Sequence, residues 1–255
     1  MLWYKAWLET RWRFAIGLAI LMLSACGIVF AYPQVARLMP LASNIEARGE
    51  IGRRVQEAVQ LAREYRGYVW SQWFRQNLIQ MWTVFAALLG AGGLLSQTSG
   101  GAALYTLSMP ASRTRLLGVR AAAGLGELLV LAIAPSLLIP LLSPAVGDSY
   151  SVVDVLVHGA CLFFGGAVFY ALAVLLSTIF PDIWRPLLIA LAVAVALAIG
   201  EMFVRDVWPY GLFSLMNGET YFRTRHVPWG GLVVTTAAAA ALLYGAASSL
   251  ARRDF

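Results

Sequence analysis

Glu127 and Glu201 are the carboxylates that fall within or at the end of long apolar runs. An ionisable group is expensive to bury there, which makes each a candidate for handling an ion, a proton or a polar substrate. A plainer reading stands beside it: either side chain can be hydrated or hydrogen-bonded near a headgroup layer, and Glu201 has Arg205 one turn away. Asp154 and His158 are four residues apart, on one face if helical, but two ligands without a third make a poor metal site. Around His158 and His226 no further cysteine, histidine or carboxylate stands at ligand spacing, so no metal centre is predicted. No Gly-x-Ser-x-Gly elbow marks a nucleophile. Lys5 is the single lysine, and it follows Leu2-Trp3-Tyr4 rather than a glycine-rich turn. A phosphate-cradling Walker A loop is therefore absent, and a Schiff-base lysine inside an apolar run is excluded. The residues predict a chain that performs no covalent chemistry and holds no cofactor or metal of its own.

The elements that position these residues follow from composition. Of 255 residues, 60% are hydrophobic and 13% charged, with a mean hydropathy of +0.72. An average soluble domain carries about 25% charged residues, so this chain lacks the groups to cover a water-facing surface. Its formal charge is +6. The basic residues sit at the ends of apolar runs and in one long loop, which points to anionic headgroups rather than nucleic acid. Cys26 and Cys161 both lie within apolar runs and read as small hydrophobes. In lipid, backbone groups must be bonded within their own segment, so apolar runs of about 20 residues become helices. Six runs qualify, over 14–32, 78–95, 121–142, 155–179, 187–204 and 229–250. The first stays uncharged as far as Ala36, longer than a secretory signal core, and reads as a retained span. The third contains Glu127 and two prolines, Pro135 and Pro140, which can kink it.

Outside these runs, residues 1–12 place Trp3 and Trp7 on one side of a helix, and Lys5 and Glu9, with Arg13, on another; Arg11 stands near its end. That pattern predicts a helix lying in the membrane interface, joined to the first span by a bend near Trp12. Residues 33–75 form an external loop in which Ile51, Val55, Val59 and Ala62 recur at helical spacing, with Trp70 and Trp73 expected at the point of re-entry. Gly90, Gly92, Gly93, Gly165 and Gly166 let helix backbones approach closely. The reading is an all-α integral membrane protein, one transmembrane domain over 1–255, with six transmembrane helices and both termini on one side. Counting arginines and lysines gives nine on the side of the termini and ten on the other, which does not orient it. Two details favour termini in the cytoplasm. Arg48, Arg53, Arg54 and Arg63 lie far from span ends among acids, whereas 96–120 carries three arginines and no acid.

That last segment is the most specific stretch of the chain. It reads Thr106-Leu107-Ser108-Met109-Pro110-Ala111-Ser112-Arg113 after Gly100-Gly101, and continues to Arg115 and Arg120. It resembles the cytoplasmic loop of type-2 ATP-binding-cassette (ABC) transporter permeases. The opening Trp3-Tyr4-Lys5-Ala6-Trp7-Leu8-Glu9-Thr10-Arg11 is similar to the elbow helix of that family, and Arg252-Arg253-Asp254-Phe255 to its tail. The resemblance implies a permease subunit, read as an exporter, in the inner (plasma) membrane. It would pair with a second permease subunit, identical or not, and bind an ABC ATPase subunit that holds the ATP and Mg. Residues 96–120 would be the coupling loop, with Leu104, Leu107, Ser108, Met109, Pro110, Arg113 and Arg115 seated against the ATPase. The 33–75 loop is longer than the minimal family layout and is read as a gate or lid. A self-contained secondary transporter or channel using Glu127 is the alternative; an intramembrane enzyme lacks its nucleophile–base or metal constellation.

Overall fold

The computed structural model describes residues 2–42, 59–92, 113–204 and 211–251, and among them there is no strand. Five helices are long and apolar enough to cross a membrane. They are α1 (Leu2–Ala42), α4 (Arg113–Leu142), α5 (Val152–Ser177), α6 (Trp184–Val204) and α9 (Trp229–Ala251). Between α1 and α4 stand α2 (Tyr65–Val69), a π-helical stretch (Trp70–Leu78) and α3 (Ile79–Gly90). Two short helices, α7 (Leu212–Met216) and α8 (Glu219–Thr224), precede α9. The protein is an all-α, multi-pass membrane protein.

Helix α5 is the centre of the bundle. It packs on α3, α4, α6, α7 and α9. Its sequence alternates bulk with Gly159, Gly165 and Gly166, so neighbours approach its backbone from several sides. A Cβ on Gly166 would lie 2.3 Å from the Trp82 ring, so the indole packs directly on the backbone there. Trp70, Trp73 and Trp82 have no exposed surface, and each indole N–H finds an acceptor: the Asn217 carbonyl at 3.1 Å, Ser136 Oγ at 3.0 Å and the Leu128 carbonyl at 3.0 Å. An unbonded indole N–H in a dry core would forfeit a hydrogen bond, so Trp73 and Trp82 fix the π-helical stretch and α3 against α4, and Trp70 fixes the start of that stretch against the end of α7. By contrast α6 and α9 leave most of their apolar surface uncovered, as lipid-facing helices do.

Several boundaries differ from the sequence expectation. The bend near Trp12 is absent, because α1 runs unbroken from Leu2 to Ala42. At 1.5 Å per residue its 41 residues reach roughly 61 Å, twice a hydrocarbon core of about 30 Å. The helix continues through Pro33, beside which Tyr68 donates its hydroxyl to the Ile28 carbonyl at 3.1 Å. The 33–75 loop is accordingly shorter than expected, entered by α1 at one end and by helix from residue 59 at the other. Of its predicted amphipathic helix, Ile51 and Val55 lie outside the described residues, while 59–63 are helical. Trp70 and Trp73 are core residues rather than anchors at the interface. The helix expected over 78–95 begins earlier, in the π-helical stretch, and ends at Gly90, and it is not among the five helices long and apolar enough to cross. Both prolines of α4 are accommodated inside the helix. Ser136 and Ser143 donate back to the Ala132 and Ile139 carbonyls at 2.9 and 2.6 Å, supplying bonds near those the prolines remove.

Candidate functional site

The buried charge of α4 meets the first turns of α1. Thr10, Glu9 and Arg13 lie on the inner side of α1, and Arg120 and Glu127, two turns apart, face them from α4. Glu127 is buried and accepts a hydrogen bond on Oε1 from the Thr10 hydroxyl. Its Oε2 is buried with no hydrogen-bond partner among the described residues. Thr10 is also within reach of the Ala6 carbonyl at 3.2 Å, so its hydroxyl is shared between backbone and carboxylate. Arg120 Nη1 lies 3.2 Å from Glu9 Oε2, an ion-pair contact that falls short of hydrogen-bond geometry. Arg13 donates to the Leu88 carbonyl near the end of α3 at 3.2 Å. The two guanidinium groups close on Gly92, where a Cβ would stand 2.7 Å from Arg13 Nη1 and 2.8 Å from Arg120 Nη2. From α5, Tyr170 donates to the Arg120 and Ala121 carbonyls at 3.4 and 3.3 Å. Arginines of α1 and α4 thus meet where the chain leaves α3, with Glu9 beside Arg120 and the Thr10–Glu127 pair joining the same two helices.

The other sequence-predicted positions divide around this cluster. Glu9 belongs to it, and Lys5 lines a small cleft of about 30 Å³ between α1 and α4 with Glu9 and Arg120. The polar stripe of α1 therefore turns into the protein instead of toward water. Trp3, Trp7 and Arg11 point outward. Of the loop, Leu104, Leu107, Ser108, Met109 and Pro110 lie outside the described residues, as does the tail 252–255; Arg113 starts α4, and Arg115 is exposed on its first turn. Glu201 is elsewhere. Its carboxylate accepts from the backbone N–H groups of Phe213 and Ser214, both at 2.8 Å, and from Ser214 Oγ at 2.7 Å. It thereby supplies acceptors for the unpaired first amides of α7. Arg205, its expected neighbour, lies outside the described residues.

Sequence reasoning did not find a second charged centre, about sixteen residues or roughly 24 Å along α5 from Tyr170. Asp154, buried in the first turn of α5, binds Arg66 Nε at 2.9 Å, Arg225 Nη1 at 2.7 Å and the Tyr221 hydroxyl at 3.0 Å. One turn on, His158 Nδ1 is 3.1 Å from the Asn217 carbonyl, and its ring stacks on Phe74 with centroids 4.6 Å apart. Tyr150 packs nearby, and burial, reinforced by the Asp154 charge, pushes its hydroxyl well above the ordinary phenol range. The partners of Asp154 come from positions 88 and 71 residues away, so no local spacing could announce them. The centre consumes the acceptors of Asp154 in ion pairs and hydrogen bonds. No group of three metal-ligating side chains occurs among the described residues.

Comparison with protein-family models, with curated proteins and with solved structures gives no match.

Proposed function

We propose that the chain is the membrane-spanning permease subunit of an ABC transporter, working as an exporter in the inner (plasma) membrane beside a second permease subunit. A separate ATPase subunit would bind ATP and Mg, and the chain itself would carry no catalytic group. The helical run 65–90 would supply a sixth crossing, leaving both termini in the cytoplasm. Residues 96–120 would dock the ATPase, Leu104, Leu107 and Met109 entering a cleft while Arg113 and Arg115 face acids.

The observation that carries this reading is the convergence of Arg13 and Arg120 on Gly92. Both flanks of the docking segment, the end of α3 and the start of α4, are tied there to the first turns of α1. A push on the segment would reach three helices through short, partly buried contacts. The nucleotide-loaded ATPase would drive transport by binding one arrangement of these helices better than the other, since a ligand shifts an equilibrium only by its differential affinity.

Purification from native membranes in mild detergent, with ATPase assay, tests the reading. An ATPase subunit is expected with the wild type and is expected to be lost from Leu107→Asp/Arg113→Glu while the protein stays folded. If none accompanies the wild type, the reading falls. The buried, half-bonded carboxylate of Glu127 favours a second reading, a secondary transporter that moves an ion or proton. Ion-gradient-driven uptake into vesicles by the purified chain alone, lost in Glu127→Gln, would establish that one instead.

A further inference from the structure

The outer face of α1 carries a trough that the proposed transport role does not use. It is a cavity of about 470 Å³ lined by Trp7, Arg11, Trp12, Phe14, Leu18 and Met22 with the small residues Ala15 and Ala19 as its floor. Trp7 and Phe14 pack with their rings tilted and centroids 5.4 Å apart along one wall, and Arg11 leans over the Trp12 ring at 5.6 Å at the mouth. From Arg11 to Met22 the trough runs about 16 Å along the helix axis. That is the depth of one leaflet of a hydrocarbon core about 30 Å thick. The charge it presents is a single cation, at the end where residues 14–36 give way to charged sequence. Glu9, the nearest acid, is turned to the other side of α1 and faces Arg120.

We infer that this trough is a binding site for one anionic phospholipid, its phosphate on Arg11 between the Trp7 and Trp12 indoles and an acyl chain on Ala15 and Ala19. The shape accepts a flexible alkyl chain, and the wall residues leave no buried polar group for a protein partner to satisfy. A zwitterionic lipid such as phosphatidylcholine offers the same phosphate but sets its own headgroup cation beside Arg11, so the site favours a lipid whose headgroup keeps a net negative charge. The inference is independent of the ATPase reading.

The test uses the full chain in vesicles of phosphatidylcholine with phosphatidylglycerol as a minor component. After mild extraction, bound lipid is counted by native mass spectrometry. Wild type is expected to retain phosphatidylglycerol in preference to phosphatidylcholine. Arg11→Gln is expected to lower that preference about fivefold, the effect of one arginine at a headgroup layer. Ala19→Trp, which fills the floor, is expected to remove the bound lipid without touching the charge. Arg185→Gln, an exposed arginine paired with Asp182 far along the chain, is expected to change nothing. Equal retention in wild type, Arg11→Gln and Ala19→Trp overturns the inference, and so does an equal loss in Arg185→Gln. A disulfide between copies through Ala15→Cys in native membranes also overturns it, because the trough would then be a protein interface.

Discussion

Thr10 donates its hydroxyl to Glu127 across 117 residues of chain, and through that bond the first turns of α1 are held against the middle of α4. Everything else in the cluster is arranged around the same contact. Arg120 stands two turns below Glu127 on α4, and Glu9 and Arg13 stand one residue before and three after Thr10 on α1. Because α1 is a continuous helix, a displacement of these turns would be carried along its whole length.

A double-mutant cycle measures the bond directly. Thr10→Val and Glu127→Leu, each of which removes one partner of the bond, are compared singly and together by thermal unfolding in detergent. A coupling energy of about 1 kcal/mol is expected, in the range of contacting residues that share a hydrogen bond. Additive effects would mean that Thr10 spends its hydroxyl on the Ala6 carbonyl alone.

Asp154 should respond asymmetrically with its partners. It is buried, whereas the Arg66 and Arg225 side chains are 30% and 56% exposed and can be rehydrated when their partner is lost. Arg225→Gln is expected to destabilise by less than about 1 kcal/mol, as exposed pairs do. Asp154→Leu is expected to lower stability by about 2 kcal/mol, because it strands Tyr221 and leaves two arginines without their acceptor. Unfolding followed by intrinsic tryptophan fluorescence reads both, and equal effects would refute the asymmetry.

Glu201 and Gly211 form a lock that can be opened from either side. A Cβ on Gly211 would fall 1.9 Å from the Glu201 carboxylate carbon. Glu201→Ala and Gly211→Ala are each expected to loosen α7, by about 1 kcal/mol for the lost cap. The double variant is expected to cost less than the sum, since the clash disappears with the carboxylate. Limited proteolysis around residue 212 reads the release, and faster cleavage in neither single variant would rule out the lock.

Two glycines separate close packing from free space. Gly166→Ala drives a methyl into the Trp82 ring, which has no exposed surface and nowhere to move. A loss of about 1–3 kcal/mol is expected from overpacking. Gly126→Ala meets nothing within 4 Å, and its helix propensity gain predicts a change between neutral and about 1 kcal/mol stabilising. Melting temperatures of the pair, measured side by side, check the contrast.

The sequence by itself determined the class of protein. Apolar runs long enough to cross a bilayer have one way to bond their backbones, so α1, α4, α5, α6 and α9 follow from composition and length. It also singled out Glu127, because a carboxylate in such a run is conspicuous wherever the chain folds. What it did not determine was the company these residues keep. The Trp3 and Lys5 stripes of α1 read as an interfacial helix from spacing alone; only packing against α4 turned Glu9, Thr10 and Arg13 inward. Trp70 and Trp73 read as interface anchors because tryptophan suits a headgroup layer. Tertiary structure buried them instead, by offering each indole N–H an acceptor on another segment. Asp154 was legible only as a neighbour of His158; its partners Arg66 and Arg225 were not, for the same reason. A side chain's periodicity is a local property of its helix, while the partner of a buried charge is chosen by helices that approach from remote parts of the chain. That choice is made when the bundle closes around α5.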